Sequence, residues 1–117
     1  MRVSNIKYDG NCETYQIHGG EAISIDLRSG DSVEIVDVEG DQQCSVLAFN
    51  SEKSSSLPDL SWNTKPKINS HEIQPKDCSD MLQTILKHNQ IDSKKLNSAE
   101  LFSSSHPADS RQSFEIK

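Results

Sequence analysis

The feature that most constrains this fold is a stretch of alternating apolar and polar residues between positions 13 and 49. In residues 23–27, Ile and Leu side chains alternate with Ser and Asp. Successive side chains of a β-strand point to opposite faces, so this period of two predicts a half-buried strand. Similar runs lie at 13–18, 33–38 and 44–49, and glycine-containing turns at 19–20, 29–31 and 39–41 separate them. The pattern predicts an antiparallel meander of four strands.

Two of these runs depart from simple alternation. Ile35 and Val36 are adjacent apolar residues, which indicates either a β-bulge or a strand covered on both faces. The run from Cys44 to Phe49 is apolar on both faces and predicts a central strand.

An amphipathic helix is predicted over 75–90. Pro75 suits a first helical turn, and Cys78, Met81, Leu82, Ile85 and Leu86 recur at helical spacing. A short second helix is predicted from Lys94 to about Phe102, with Ser93 as its N-cap. Residues 113–117 then begin an edge strand that stops at the last residue, which suggests that the sequence once continued.

The remaining segments have little periodicity. Residues 1–12 are expected to be an N-terminal arm, and the Ser-, Lys- and Pro-containing stretch 50–74 is expected to be an irregular loop. Trp62 lies in that loop and is expected to pin it to the core rather than stack on a ligand. The fold class is therefore mostly β (α+β). We expect one domain over 1–117, with about five strands curling toward a small barrel.

Composition excludes some function classes. Hydrophobic residues make up 32% of the chain, which is low and predicts modest stability unless a partner covers more of the surface. The net charge is −6, and the 12 basic residues are scattered, which disfavours nucleic acid and anionic membranes as partners.

The three cysteines are far apart and form no CxxC pair, which favours reduced thiols and a cytoplasmic location. The N-terminus has no signal-peptide pattern, and no apolar run is long enough to cross a bilayer.

No established catalytic motif is present, so candidate sites rest on isolated residues. Asp37 lies beside the turn at Gly40 and is expected to form that turn, with cation binding as the alternative. Gln42 and Gln43 enter the next strand, either facing solvent or pointing into the mouth of a pocket.

His71 and Cys78 are the pair nearest to a metal site, seven residues apart across the start of the predicted helix. A site needs at least three ligands, so zinc is not expected, and the ordinary explanation of Cys78 on the apolar stripe is a small buried thiol.

The stretch from Asp31 to Asn50 resembles the urea carboxylase-associated family. That family has a "Gly-Asp, hydrophobic pair, Asp-x-x-Gly-x-Gln" pattern, which is matched here by Gly30, Asp31, Asp37, Gly40 and Gln42 or Gln43. Residues 77–82 and 100–102 also resemble the family's helix and the turn that follows it.

The chain looks closest to the version that precedes a folate-binding, glycine cleavage T-protein-like aminomethyltransferase module. Residues 102–114 resemble the link of that version into its next strand. The resemblance implies an accessory domain whose partner is a folate-binding transferase module, in cis or in trans. Tetrahydrofolate would then belong to that module, and this chain would hold no cofactor.

Two departures from the family weaken a metal site. The His- and Cys-containing stretch of stand-alone members is mostly missing, and only His71 and Cys78 remain as counterparts. The position after the Gln pair, often acidic in the family, is Cys44 or Ser45 here.

The sequence leaves three hypotheses. The first is an accessory or binding domain of an aminomethyltransferase-like one-carbon enzyme, which is not catalytic alone. The second is a stand-alone urea carboxylase-associated-type protein with a metal or small-molecule site at His71, Cys78 and the residues near Gln42. The third is an interaction protein with a large exposed apolar patch.

Overall fold

The computed structural model describes residues 1–40, 42–54, 56–71, 80–91, 96–102 and 107–117. This part of the chain is mostly β and contains one α-helix. Its strands are β1 (Arg2–Ile6), β2 (Cys12–Gln16), β3 (Ser32–Asp37), β4 (Cys44–Val46), β5 (Leu60–Trp62), β6 (Lys67–His71), β7 (Leu96–Phe102) and β8 (Ser110–Ile116). A short 3-10 helix covers Leu57–Asp59, and α1 covers Asp80–His88. The predicted mostly β class is confirmed.

The larger sheet has five antiparallel strands in the order β2-β1-β3-β8-β5. Its register places Val3 opposite Ile35, and Val33 opposite Phe114. The alternation of each strand therefore brings apolar side chains together on one face, which we call the inner face. These side chains, with Leu57, Leu60, Ala99, Leu101 and Phe102, form the buried core.

The smaller sheet has three antiparallel strands in the order β4-β7-β6. Ala99, at the centre of β7, is fully buried and belongs to the same core. The described strands form two separate open sheets. They do not form the small barrel toward which the strands were predicted to curl.

The predicted meander is replaced by pairing between distant segments. Residues 2–6, expected to belong to an arm, form β1 between β2 and β3. Residues 23–27, expected to be a strand, belong to no strand, although their burial still alternates. The physical reason is that β1 takes the positions beside β2 and β3 that a meander would give to 23–27.

The predicted second helix at 94–102 is wrong, because Leu96–Phe102 is strand β7. β4 pairs with one edge of β7 and β6 with the other, so tertiary hydrogen bonding overrides a helix-compatible sequence.

The predicted central strand at 44–49 is also wrong, since β4 is short and lies at an edge of the smaller sheet. Its pairing with β7 is irregular between Cys44 and Ser45.

The expected loop at 50–74 contains β5, β6 and the 3-10 helix. Trp62 does pin this region to the core, as predicted: its ring centroid lies 4.8 Å from that of Phe114. Its indole N–H donates to the Leu57 carbonyl at 3.4 Å.

The last strand, expected at an edge, is β8 in the interior of the larger sheet, between β3 and β5.

The predicted helix is observed as α1, Asp80–His88. Leu86 is buried and Met81 is exposed, so the predicted stripe is only partly covered. The predicted helix start at Pro75, together with Cys78, lies outside the described residues. No helix in the described ranges is long and apolar enough to cross a membrane.

Candidate functional site: an apolar cavity

A cavity of about 1240 Å³ lies against the inner face of the larger sheet. Its walls are the sheet, residues 17–27, β4 with the residues that follow it, and α1. Apolar side chains from these walls include Ile23, Ile25, Leu27, Val46, Ile85 and Leu86. We call this space the apolar cavity.

The alternating segment 23–27 explains why one wall is apolar. Ile23, Ile25 and Leu27 are half-buried and pack against the core, whereas Ser24 and Asp26 are exposed. In a close-packed interior such side chains would be fully enclosed. Here part of their surface faces the cavity instead, so the fold retains apolar surface that an occupant can cover.

Polar side chains lie at the edge of the apolar cavity. Gln42 and Gln43, predicted as candidates for a pocket mouth, both contribute to its lining. The Gln42 side-chain amide donates to Glu39 at 3.4 Å, and Gln43 is exposed. The structure thus brings these two residues to one cavity, and ligand binding by them stays a prediction.

Asp37 has a structural role in this arrangement. Its side chain is fully buried, and its two carboxylate oxygens accept hydrogen bonds from the backbone N–H groups of Gly40, at 3.0 Å, and Gln42, at 3.2 Å. The Asp37 carbonyl accepts a third from Asp109 N–H at 2.7 Å. Asp37 is absent from the cavity lining, so turn formation explains it.

Asp31 holds the opposite end of β3 in the same way. It was not among the site residues predicted from the sequence. It is 2% exposed, and its carboxylate accepts hydrogen bonds from Tyr8 N–H at 2.8 Å and Arg28 N–H at 3.0 Å. These bonds, led by that from Arg28, hold the pKa of Asp31 below its usual value. A Gly-Asp pair at the start of a strand was the signal available in the sequence.

Cys44 is a thiol in the cavity wall. Burial, with a smaller contribution from the charge of Asp37, raises its pKa to about 11. A thiol with so high a pKa is protonated at neutral pH and is a poor nucleophile. Cys44 therefore contributes a protonated, half-buried thiol to the cavity wall.

The metal prediction for His71 and Cys78 stays untested. His71 is the last residue of β6, and Cys78 lies outside the described residues. Across the described ranges, no group of three or more His, Cys, Asp or Glu residues is placed to hold a metal ion.

A scan against protein-family models, a search of curated proteins and a search of solved structures each found no match.

The arrangement suits sequestering an apolar group. A concave surface that is largely apolar and has polar groups at its edge is the usual form of a binding pocket. Transferring apolar surface from water contributes about 25 cal/mol per Å², so filling the cavity would stabilise both occupant and fold.

Proposed function

We propose that this chain is a binding domain that holds an apolar group in the apolar cavity. The observation that carries the proposal is the cavity itself, about 1240 Å³ with walls from four parts of the fold. Cys44, the thiol in the cavity wall, has a raised pKa, which favours its protonated, unreactive form. Binding, rather than catalysis by this chain alone, is the activity that such a site supports.

The larger context that we propose is an accessory role in an aminomethyltransferase-like one-carbon enzyme. The support is the sequence resemblance carried by Gly30, Asp31, Asp37, Gly40 and the Gln pair. In this context a folate-binding module would supply the transfer chemistry. Mixing the chain with such a module and measuring co-elution by gel filtration tests this part, and separate elution would argue against it.

Binding by the cavity can be measured with a neutral fluorescent probe, N-phenyl-1-naphthylamine. Its emission should rise when the protein is added, because the probe moves from water into an apolar site. Ile25→Phe would fill part of the cavity and should weaken probe binding while leaving the fold intact. Far-UV circular dichroism and the melting temperature check the fold.

Ile68→Phe is the matched control, since Ile68 is exposed on β6 and is absent from the cavity lining. We expect this variant to bind the probe like the unmodified protein. Equal probe affinity in all three proteins, or no rise in emission for any, would overturn the proposed function.

A further inference from the structure

Residues 22–27 have an unusually free backbone. Within the described chain, their N–H and C=O groups make no backbone–backbone hydrogen bond. The Asp26 carbonyl accepts one bond from a side chain, Lys7 Nζ, at 3.1 Å. Both ends of the segment are held, since Glu21 N–H donates to His18 and Arg28 N–H donates to Asp31, each at 3.0 Å.

This segment nevertheless has the side-chain pattern of a strand. Ile23, Ile25 and Leu27 line the apolar cavity, and the polar side chains between them are exposed. A segment that alternates in this way and has unpaired backbone groups has the features of a sheet edge. Backbone polar groups that become buried need partners, so an occupant that covered this segment with apolar surface alone would leave them unsatisfied.

We propose that the occupant is an extended segment of a partner protein that pairs with residues 22–27 as an added β-strand. This inference rests on the proposed function, because it assigns an occupant to the same cavity. Main-chain hydrogen bonds would provide part of the affinity, and alternate apolar side chains would enter the cavity, as in other cases of strand addition.

Charge defines the outward face of the partner strand. Asp26, the charged residue within 22–27, is a carboxylate with an exposed side chain, and Glu21 and Arg28 flank the segment with opposite charges. The whole chain carries a net charge of −6, which attracts a basic partner. The partner strand should therefore alternate apolar residues with basic or neutral polar ones, since opposite charges across paired strands are favourable.

The geometry also indicates which edge accepts the partner. In an extended chain, the backbone groups of alternate residues point to the same side. The Asp26 carbonyl accepts a hydrogen bond from Lys7, in the loop between β1 and β2, so when 22–27 pairs as an extended strand the edge shared by 22, 24 and 26 faces that loop. The opposite edge presents the backbone groups of Ile23, Ile25 and Leu27, and we assign the added strand to it.

The test uses a short capped peptide that alternates Ile with Thr and Lys, and a control peptide of the same composition with its Ile residues consecutive. Residue-resolved amide hydrogen exchange is measured by NMR on the full chain with each peptide. With the alternating peptide, exchange should slow by about tenfold or more at Ile23, Ile25 and Leu27 and change little at Ala22, Ser24 and Asp26. The control peptide should give no such alternation.

A charge variant provides an independent readout. Asp26→Lys should weaken binding of the alternating peptide several-fold, and by a larger factor than it weakens binding of the neutral naphthylamine probe, because only the peptide carries charge. Glu115→Lys makes the same change in net charge at an exposed residue that is absent from the cavity lining, and should affect neither.

The outcomes separate the two proposals. Probe binding without peptide binding, or with uniform protection across 22–27, would overturn strand addition and leave the proposed function standing. Absence of both probe and peptide binding would overturn the proposed function itself. Peptide binding that Asp26→Lys and Glu115→Lys weaken equally would overturn the assignment to this segment.

Discussion

Two buried carboxylates, Asp31 and Asp37, fix the ends of β3. Each accepts two hydrogen bonds from backbone N–H groups: Asp37 from Gly40 and Gln42 just after β3, and Asp31 from Arg28 just before β3 and Tyr8 in the loop between β1 and β2. A carboxylate bonded to backbone N–H groups satisfies donors that would otherwise be buried without partners. These residues thus determine where the central strand begins and ends, which gives both carboxylates a structural explanation.

Because of Asp31, the free energy of unfolding should fall as the solution is made acidic. Its pKa in the folded chain is below the ordinary value of 3.8, so the folded state favours the carboxylate. The resulting stabilisation is present above the unfolded pKa and is lost as pH falls through the lower, folded pKa. Urea unfolding at neutral and acid pH should show this loss in the unmodified protein and a smaller one in Asp31→Asn. Glu115→Gln, at an exposed carboxylate, is the control; an acid loss unchanged in Asp31→Asn would contradict the assignment.

Asn5 is the residue that the fold leaves least satisfied. Its side chain is fully buried on the inner face, and neither its amide nitrogen nor its amide oxygen has a hydrogen-bond partner within the described residues. An unpaired buried amide destabilises a protein by about 1–3 kcal/mol. Low apolar content and this unpaired group both point to a domain of modest stability.

Among the elements, the turn after β3 depends on close backbone approach. Gly40 has φ +82°, and a Cβ there would lie 2.7 Å from the Ala108 backbone nitrogen. That contact brings the turn after β3 against residues 107–109, just before β8. A larger residue at position 40 would therefore disturb two elements at once.

Gly40→Ala should lower the free energy of unfolding by about 2 kcal/mol or more, because it combines backbone strain with a backbone clash. Gly20→Ala is the matched control, since Gly20 has the same φ of +82° and no heavy atom lies within 4 Å of a Cβ at that position. Urea unfolding of both variants measures the difference. Equal stability of the two variants would show that the approach to Ala108 does not constrain position 40.

The larger sheet is held together by β8, which pairs with strands far from it along the chain. β8 lies between β3 and β5, and Phe114 of β8 faces Val33 and Trp62. β8 therefore occupies the interior of the larger sheet. Such non-local pairing predicts slow folding, because long loops must close before these contacts form.

A chain ending at residue 109 should fail to form the larger sheet. It lacks β8, so β3 and β5 lose their shared neighbour and Phe114 leaves the core. Circular dichroism and amide dispersion in NMR spectra should show loss of cooperative structure. Removing Lys117 alone, which lies beyond β8, should have little effect. A folded chain ending at 109 would contradict the central role of β8.

The sequence by itself determined the class of structure and the faces of its segments. Period-two alternation predicted β3, the burial of 23–27 and the last strand, and helical spacing predicted α1. Gln42 and Gln43 could be named as pocket candidates because a strand entry beside a turn is a local property. The sequence could not predict the cavity, the pairing of the strands or their order in the sheets. These features depend on contacts between residues that are far apart along the chain.

Tertiary structure alone decided which segments pair. The helix-compatible stretch 94–102 became β7 because strands on both sides offered hydrogen bonds, and the strand-like stretch 23–27 stayed unpaired because β1 took its place beside β2 and β3. Local patterns fix which side of a segment is apolar, but pairing is a competition between distant segments for the same edge. The apolar cavity is the result of that competition.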